Sequence, residues 1–165
     1  DASLKKSLET KILEVFDCLA NAEAAVHGIN LDQVEFHEIG SIDTLVDVVG
    51  VCAAVDYLNP KRVFCTPPPA GSGFVKTAHG NLPVPVPAVL ELAKNHHINL
   101  STSQNHPAGE LTTPTGLALM IVLADSFLRP EFLGVRSIGI GLGSRTLDRP
   151  NLLRTCLLES SDFES

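Results

Sequence analysis

The side chains best suited to metal or acid–base chemistry lie between residues 36 and 50. The candidate catalytic and metal-binding residues of this segment are His37, Glu38, Asp43 and Asp47. Because Asp43 and Asp47 are four residues apart, a helix would place both carboxylates on one face. Carboxylates on a buried helix need a counter-charge, a hydrogen bond or a metal ion. On residue types alone a structural role is favoured over a catalytic one. In that role Asp43 interacts favourably with the positive end of the helix dipole, and Asp47 pairs with a Lys or Arg.

A glycine-rich stretch between residues 69 and 80 is a candidate anion site. The backbone N–H groups of Gly71, Ser72 and Gly73 can line such a site, and Lys76 can supply a positive charge. His79 is a candidate substrate contact, metal ligand or proton carrier. The spacing does not match a P-loop, whose Lys opens a helix. Taken alone, this motif is better interpreted as an ordinary glycine-rich turn.

A predicted helix start near residue 113 and a glycine ladder before residue 145 add further anion-binding candidates. Thr113 followed by Pro114 is typical of a helix N-terminus, whose amides can hold a phosphate. The candidate substrate-binding residues here are Thr112, Thr113, Thr115, Gly116 and Arg145. No helix follows the glycine ladder, so it is not a dinucleotide fingerprint. Charge matching predicts that the glycine-rich stretch and the helix start form one anion site facing the acidic cluster.

Apolar spacing predicts several helices and short strands that would position these residues. The predicted helices span residues 4–28, 41–58, 86–95 and 113–128. The predicted strands span residues 34–39, 63–66, 135–143 and 152–158. The second helix is almost entirely apolar, which predicts a central, buried position. The fold is therefore expected to be α+β: one compact domain over residues 1–159, with several helices packed on a small mixed or antiparallel sheet, and a frayed tail at 160–165.

Composition narrows the class of protein. With 165 residues, 44% hydrophobic and 19% charged, the chain can bury a core of its own. A net charge of −7 argues against a nucleic-acid partner, and no apolar run or signal-peptide pattern suggests a membrane. The four cysteines are scattered without a C-x-x-C pair, so we expect reduced, buried thiols in a cytoplasmic protein.

Three motifs, taken together, resemble the nickel insertion protein family of the lactate racemase maturation system. The motifs are His37-Glu38-x-Gly40, Gly71-Ser72-Gly73-Phe74-Val75-Lys76 with Ala78-His79-Gly80, and Glu110-x-Thr112-x-Pro114-Thr115-Gly116. Each is weak alone, and the set is quite specific. The resemblance covers nearly the whole chain. Glu35, Thr77 and Ile140 depart from the family pattern, which has His, Cys and Tyr at these positions.

The resemblance implies a CTP-dependent cyclometallation that inserts Ni(II) into pyridinium-3,5-bisthiocarboxylic acid mononucleotide during nickel-pincer cofactor biosynthesis. It implies a nickel chelatase of the lyase class, which forms nickel–sulfur and nickel–carbon bonds as the full-length protein. His37, Glu38, Asp43, Asp47 and His79 would then be the metal ligands. The chain is expected to be an excised middle segment, incompetent alone, with CTP and its divalent metal bound outside it. A homo-oligomer is compatible with this sequence.

Two other functions remain open from the residues alone. One is a phosphate- or nucleotide-binding hydrolase that uses the acidic cluster with a hard divalent metal such as Mg²⁺. The other is a non-catalytic scaffold or oligomerisation domain, whose helix carries paired carboxylates for stability only. Preference for Ni²⁺ over Mg²⁺ separates the first of these from nickel insertion.

Overall fold

The first helix, α1 (Lys6–His27), is an amphipathic helix and the scaffold of the N-terminal part of the fold. Its buried residues recur at helical spacing along one face: Leu8, Ile12, Val15, Leu19 and Ala22. Gly28 ends the helix with φ 64°, a left-handed conformation that glycine adopts at little cost, and donates its N–H to the Ala24 carbonyl. This confirms the predicted helix and its end at residue 28. The computed structural model describes residues 5–34, 41–77, 79–128 and 134–159.

The second helix, α2 (Ile42–Leu58), has the predicted bounds but not the predicted burial. Ser41 caps it by accepting a hydrogen bond from the Thr44 amide, and Asn59 ends it. Only the face with Thr44, Val48 and Cys52 is buried. The expectation of a central helix was wrong because that face alone meets α1 and the fourth helix, while Ile42 remains 79% exposed. Apolar composition without periodicity could not show which face packs.

Two shorter helices complete the core. Helix α3 (Pro87–Asn95) begins with Pro87, one residue after its predicted start, and helix α4 (Pro114–Leu123) begins after the Thr113 cap, as expected. Both pack on α1 and on each other. The largest fully buried side chains among the described residues are Val15, Leu19, Val48, Cys52, Val89, Leu92 and Leu117.

Helix α4 ends five residues before the predicted end at residue 128, and the expected strand over 63–66 is reduced to a single bridge. The two differences have one cause. Val63 donates its N–H to the Asp125 carboxylate, Asp125 donates its own to the Val63 carbonyl, and Cys65 donates to Ser126. The backbone after α4 therefore pairs with the 63–65 segment instead of continuing the helix. The contact is too short to form a ladder, and only Phe64 and Ser126 form a parallel bridge.

A hairpin that the sequence did not predict begins within the glycine-rich stretch. Strands β1 (Phe74–Thr77) and β2 (Gly80–Pro83) pair in antiparallel register, with Val75 opposite Leu82. Val75 and Leu82 are half-buried and pack against the helical core, while Lys76 points to the exposed side. Period-two alternation over four residues is hidden by the flanking glycines and prolines, which explains why only a loop was expected.

The chain divides into two compact units, Asp1–Leu128 and Arg129–Ser165. The second unit is built on strands β3 (Val135–Leu142) and β4 (Leu152–Leu158), which form a separate antiparallel pair. Both strands were predicted. The α+β class is thereby confirmed, and the expectation of one domain over 1–159 stays a prediction. Residues 160–165, expected to fray, lie outside the described residues. Among the described helices, none combines the length and apolarity needed to cross a membrane.

Candidate functional site

The acidic cluster is described only in part. His37 and Glu38 lie outside the described residues, as does most of the strand expected over 34–39. Asp43 and Asp47 lie one turn apart near the start of α2, and both are exposed to solvent. Asp43 stands in the first turn, where the helix dipole favours a negative charge. Because both carboxylates can be hydrated, the argument that burial requires a metal does not hold for them.

The fold itself requires a glycine at position 71, the first glycine of the glycine-rich stretch. Gly71 has φ 76°, and a Cβ there would collide with the Gly109 carbonyl oxygen. Ser72 and Gly109 exchange two backbone hydrogen bonds, of 3.3 and 2.7 Å. The structure thus brings the 71–73 segment against residues 109–111, immediately before the predicted helix start, as one anion site would require. The Ser72 amide donates to the Gly109 carbonyl, however, and is therefore not free to bind an anion.

The start of α4 has fewer free donors than its sequence suggested. The buried Thr112 hydroxyl donates to the Pro69 carbonyl at 2.7 Å, and the Thr113 hydroxyl accepts from the Gly116 amide at 3.1 Å. Pro114 has no N–H. Two of the first three helical positions therefore offer no amide to a phosphate. Thr115, half-buried, keeps its hydroxyl as a candidate contact.

The β1–β2 hairpin presents the two charged or titratable candidates of the glycine-rich motif. Lys76 is exposed on β1, opposite Asn81, and His79 is exposed in the turn. Thr77 fixes this turn, since its hydroxyl donates to the Gly80 carbonyl and accepts from the His79 amide, both at 3.1 Å. The backbone that carries His79 is therefore held in place, while its side chain remains accessible.

A histidine pair that sequence reasoning missed lies at the end of α1. The rings of His27 and His79 are 5.1 Å apart, centroid to centroid, and inclined at 54°. The His27 Nε2 atom lies 3.3 Å from the Glu23 carboxylate one turn earlier. His27 was not among the candidate residues predicted from the sequence. The Glu23-x-x-x-His27 spacing on one helical face was the available signal, but its partner His79 comes from a distant hairpin.

A second contact of metal-ligand types joins α1 to the end of α3. The Cys18 sulfur lies 3.8 Å from the His96 Nε2 atom. Burial, and secondarily the Asp17 and Glu14 carboxylates, raises the pKa of the Cys18 thiol. A thiol that resists ionisation is a poor metal ligand. This contact is therefore best interpreted as packing between helices.

The cysteines are free thiols, as expected, but they are not uniformly buried. Cys52 is buried, Cys18 and Cys65 are half-buried, and Cys156 on β4 is exposed. The expectation of burial was wrong for Cys156 because both faces of its strand are open to solvent. Burial raises the pKa of the Cys52 and Cys65 thiols.

The remaining candidate, Arg145, belongs to the second unit and is exposed, with its carbonyl accepting a hydrogen bond from the Asn151 side chain at 3.1 Å. Within the described ranges, no group of three or more His, Cys, Asp or Glu side chains is arranged to hold a metal ion. The assignment of individual site residues stays a prediction.

Comparison with known proteins assigns the chain to a family. The family model described as "Nickel insertion protein" matches residues 1–165. The chain is 46% identical over 153 residues to a putative nickel insertion protein of Cyanothece sp. (strain PCC 7425 / ATCC 29141), a match that covers 93% of this chain and 37% of the relative. It is 42% identical over 162 residues to one of Geotalea daltonii, covering 98% of this chain and 40% of the relative.

A third relative, from Synechococcus elongatus, is 47% identical over 151 residues, covering 92% of this chain and 37% of the relative. The chain thus spans about two fifths of the length of the curated relatives it matches. No solved structure matches it. With a family model that covers all 165 residues and relatives above 40% identity, the chain belongs to the nickel insertion protein family.

Proposed function

We propose that this chain is the part of a nickel insertion enzyme that brings Ni²⁺ and its organic acceptor together. The supporting observation is the family match over residues 1–165. The acceptor proposed is pyridinium-3,5-bisthiocarboxylic acid mononucleotide, which gains two nickel–sulfur bonds and one nickel–carbon bond. The enzyme would be a cytoplasmic lyase of nickel-pincer cofactor biosynthesis, with CTP and its divalent metal bound outside this segment.

The reaction sets three requirements that this chain's residues can meet. Nickel must be held by a few exchangeable ligands, and imidazole is a suitable one. The ring carbon must lose a proton as the nickel–carbon bond forms, so a base must accept it; His37, Glu38, Asp43 and Asp47 are the candidates. The phosphate of the mononucleotide must be held away from these carboxylates.

Lys76 is the best-supported holder of that phosphate in the first unit. It is exposed, and it projects from a strand whose neighbouring residue Val75 packs on the core. The hydroxyls of Thr112 and Thr113 are already engaged within the fold, so their contribution would be to position the segment. Ser72 and Thr115 would add contacts. Arg145, in the second unit, stays a predicted substrate-binding residue.

The test compares this chain with a full-length member of the family. Each purified protein is incubated with Ni²⁺ and the mononucleotide, with and without CTP, and the nickel-containing product is measured by mass spectrometry. We expect product only from the full-length protein and only with CTP. Product formed by the 165-residue chain alone would show that it is competent by itself, contrary to the expectation.

Two further arms decide between nickel insertion and the other functions. If Mg²⁺ with CTP or a phosphate ester gives hydrolysis and Ni²⁺ gives no inserted product, the hydrolase interpretation replaces the proposal. If neither metal supports any reaction in the full-length protein, and alanine at Asp43 and Asp47 changes stability alone, the scaffold interpretation replaces it. In the full-length protein, Lys76→Ala should weaken mononucleotide binding by about 1–3 kcal/mol, the usual value of a charge-assisted hydrogen bond.

A further inference from the structure

At the end of α1, one imidazole of the helix lies between a carboxylate of the same helix and a second imidazole from the β1–β2 turn. Glu23 and His27 are four residues apart on the last turns of the helix, and the His79 ring, from the β1–β2 turn, lies beside the His27 ring. The Glu23 and His27 side chains are 19% and 38% exposed, so the carboxylate is partly sheltered while the ring remains accessible. Nothing in the sequence-based site included Glu23 or His27.

The separation of the two rings suits a shared metal ion. An imidazole nitrogen binds a first-row divalent metal at about 2.0–2.1 Å, which puts the ring centroid about 3.2 Å from the ion. Two such rings at ligand–metal–ligand angles of 90–110° have centroids about 4.5–5.3 Å apart. The observed 5.1 Å lies within this range, and the 54° inclination keeps the rings from stacking face to face.

The position of Glu23 also fits a metal-binding histidine. A ligating imidazole commonly donates its other ring N–H to a carboxylate, which fixes its tautomer and orientation. The Glu23 carboxylate lies 3.3 Å from the His27 Nε2 atom, which leaves Nδ1 as the ring nitrogen available to a metal. A Glu–His pair one turn apart is also an ordinary helical ion pair, worth a few tenths of a kcal/mol. That pair does not account for His79.

We propose that His27 and His79 are a two-imidazole docking site for Ni²⁺, with Glu23 as the positioning residue of His27. This inference rests on the proposed function, for which nickel is the cargo. Imidazole suits Ni²⁺ better than the harder Mg²⁺. Two protein ligands leave most of the coordination shell to water and to the sulfur atoms of the acceptor. Such a shell is incomplete, as transfer of the nickel ion to the acceptor requires.

The test measures Ni²⁺ binding to the 165-residue chain by isothermal titration calorimetry. We expect His79→Ala and His27→Ala each to weaken binding at this site by at least the roughly 10- to 100-fold that the loss of an outer-shell partner costs. The matched control is His97→Asn, which removes an exposed imidazole at a left-handed position (φ 55°) that asparagine tolerates. This control should bind Ni²⁺ like the unaltered chain. Circular dichroism verifies that each variant is folded.

The role of Glu23 has its own readout. Glu23→Gln keeps a hydrogen-bond acceptor for the His27 ring and should stay within a few-fold of the unaltered chain, whereas Glu23→Ala should lose affinity. Ni²⁺, but not Mg²⁺, should also protect His27 and His79 from modification by diethyl pyrocarbonate. Unchanged affinity in folded His27→Ala and His79→Ala, or equal protection by Mg²⁺, would overturn the docking site. Nickel insertion by the full-length protein would remain a separate result, so the two proposals fail independently.

Discussion

The two hairpins of this protein have the same antiparallel pairing but opposite surroundings. Strands β1 and β2 place Val75 and Leu82 on a core formed by four helices. Strands β3 and β4 are longer, yet every residue of β3 is exposed, and so is nearly all of β4. A two-stranded sheet is marginally stable alone and gains stability from what covers a face. The difference teaches that strand length and β-propensity are enough for two strands to pair. How much the pair contributes to the free energy of unfolding depends on whether one of its faces is packed against other elements.

The largest expected difference concerns cysteine reactivity. Cys52 is fully buried in the core of the first unit, whereas Cys156 lies exposed on β4. A core thiol reacts mainly after opening that costs several kcal/mol, so Cys52 should be alkylated about a thousandfold more slowly than Cys156. Burial also raises the pKa of Cys52, which leaves less thiolate at neutral pH. Iodoacetamide labelling, followed by peptide mass spectrometry, measures both rates.

The control for this comparison is the same labelling in concentrated denaturant, where the two cysteines should react at similar rates. Equally slow labelling of Cys156 and Cys52 in the native protein would mean that the second hairpin is covered in solution, and the contrast between the hairpins would fail.

The next effect concerns the entry to the first hairpin. Gly71→Ala should destabilise the protein by about 2–4 kcal/mol, the sum of a left-handed alanine and the displacement of the Gly109 carbonyl. Gly73→Ala is the matched control, because Gly73 also has a positive φ, of 83°, but has open space around its Cβ position. It should cost only the conformational part, about 1–2 kcal/mol. Urea denaturation measures both; equal losses would show that the Gly109 contact does not constrain position 71.

The smallest effects compare one side chain from each hairpin. Leu82→Ala should cost about 1–2 kcal/mol, less than a fully buried leucine, because Leu82 is half-buried against the core. Ile140→Ala should stay within about 0.5 kcal/mol, since Ile140 is 60% exposed on β3. Because the chain forms two compact units, the stability of each has to be measured separately, and amide hydrogen exchange does this because it reports on individual residues. A larger loss at Ile140 than at Leu82 would reverse the comparison.

The sequence by itself determined the local boundaries of this protein. Gly28 ends α1, Ser41 and Thr113 cap α2 and α4, and Pro87 opens α3, because caps and prolines act on their own backbone neighbours. The motifs also pointed to the nickel insertion family, which the comparison confirmed.

Only the tertiary structure decided which surfaces meet. It buried only one face of an apolar α2, ended α4 at Leu123 through the pairing of Asp125 with Val63, and set the His79 ring beside His27. Each outcome depends on segments far apart in sequence. Spacing within one element can predict which residues share a face, but it carries no information about which distant element that face will contact.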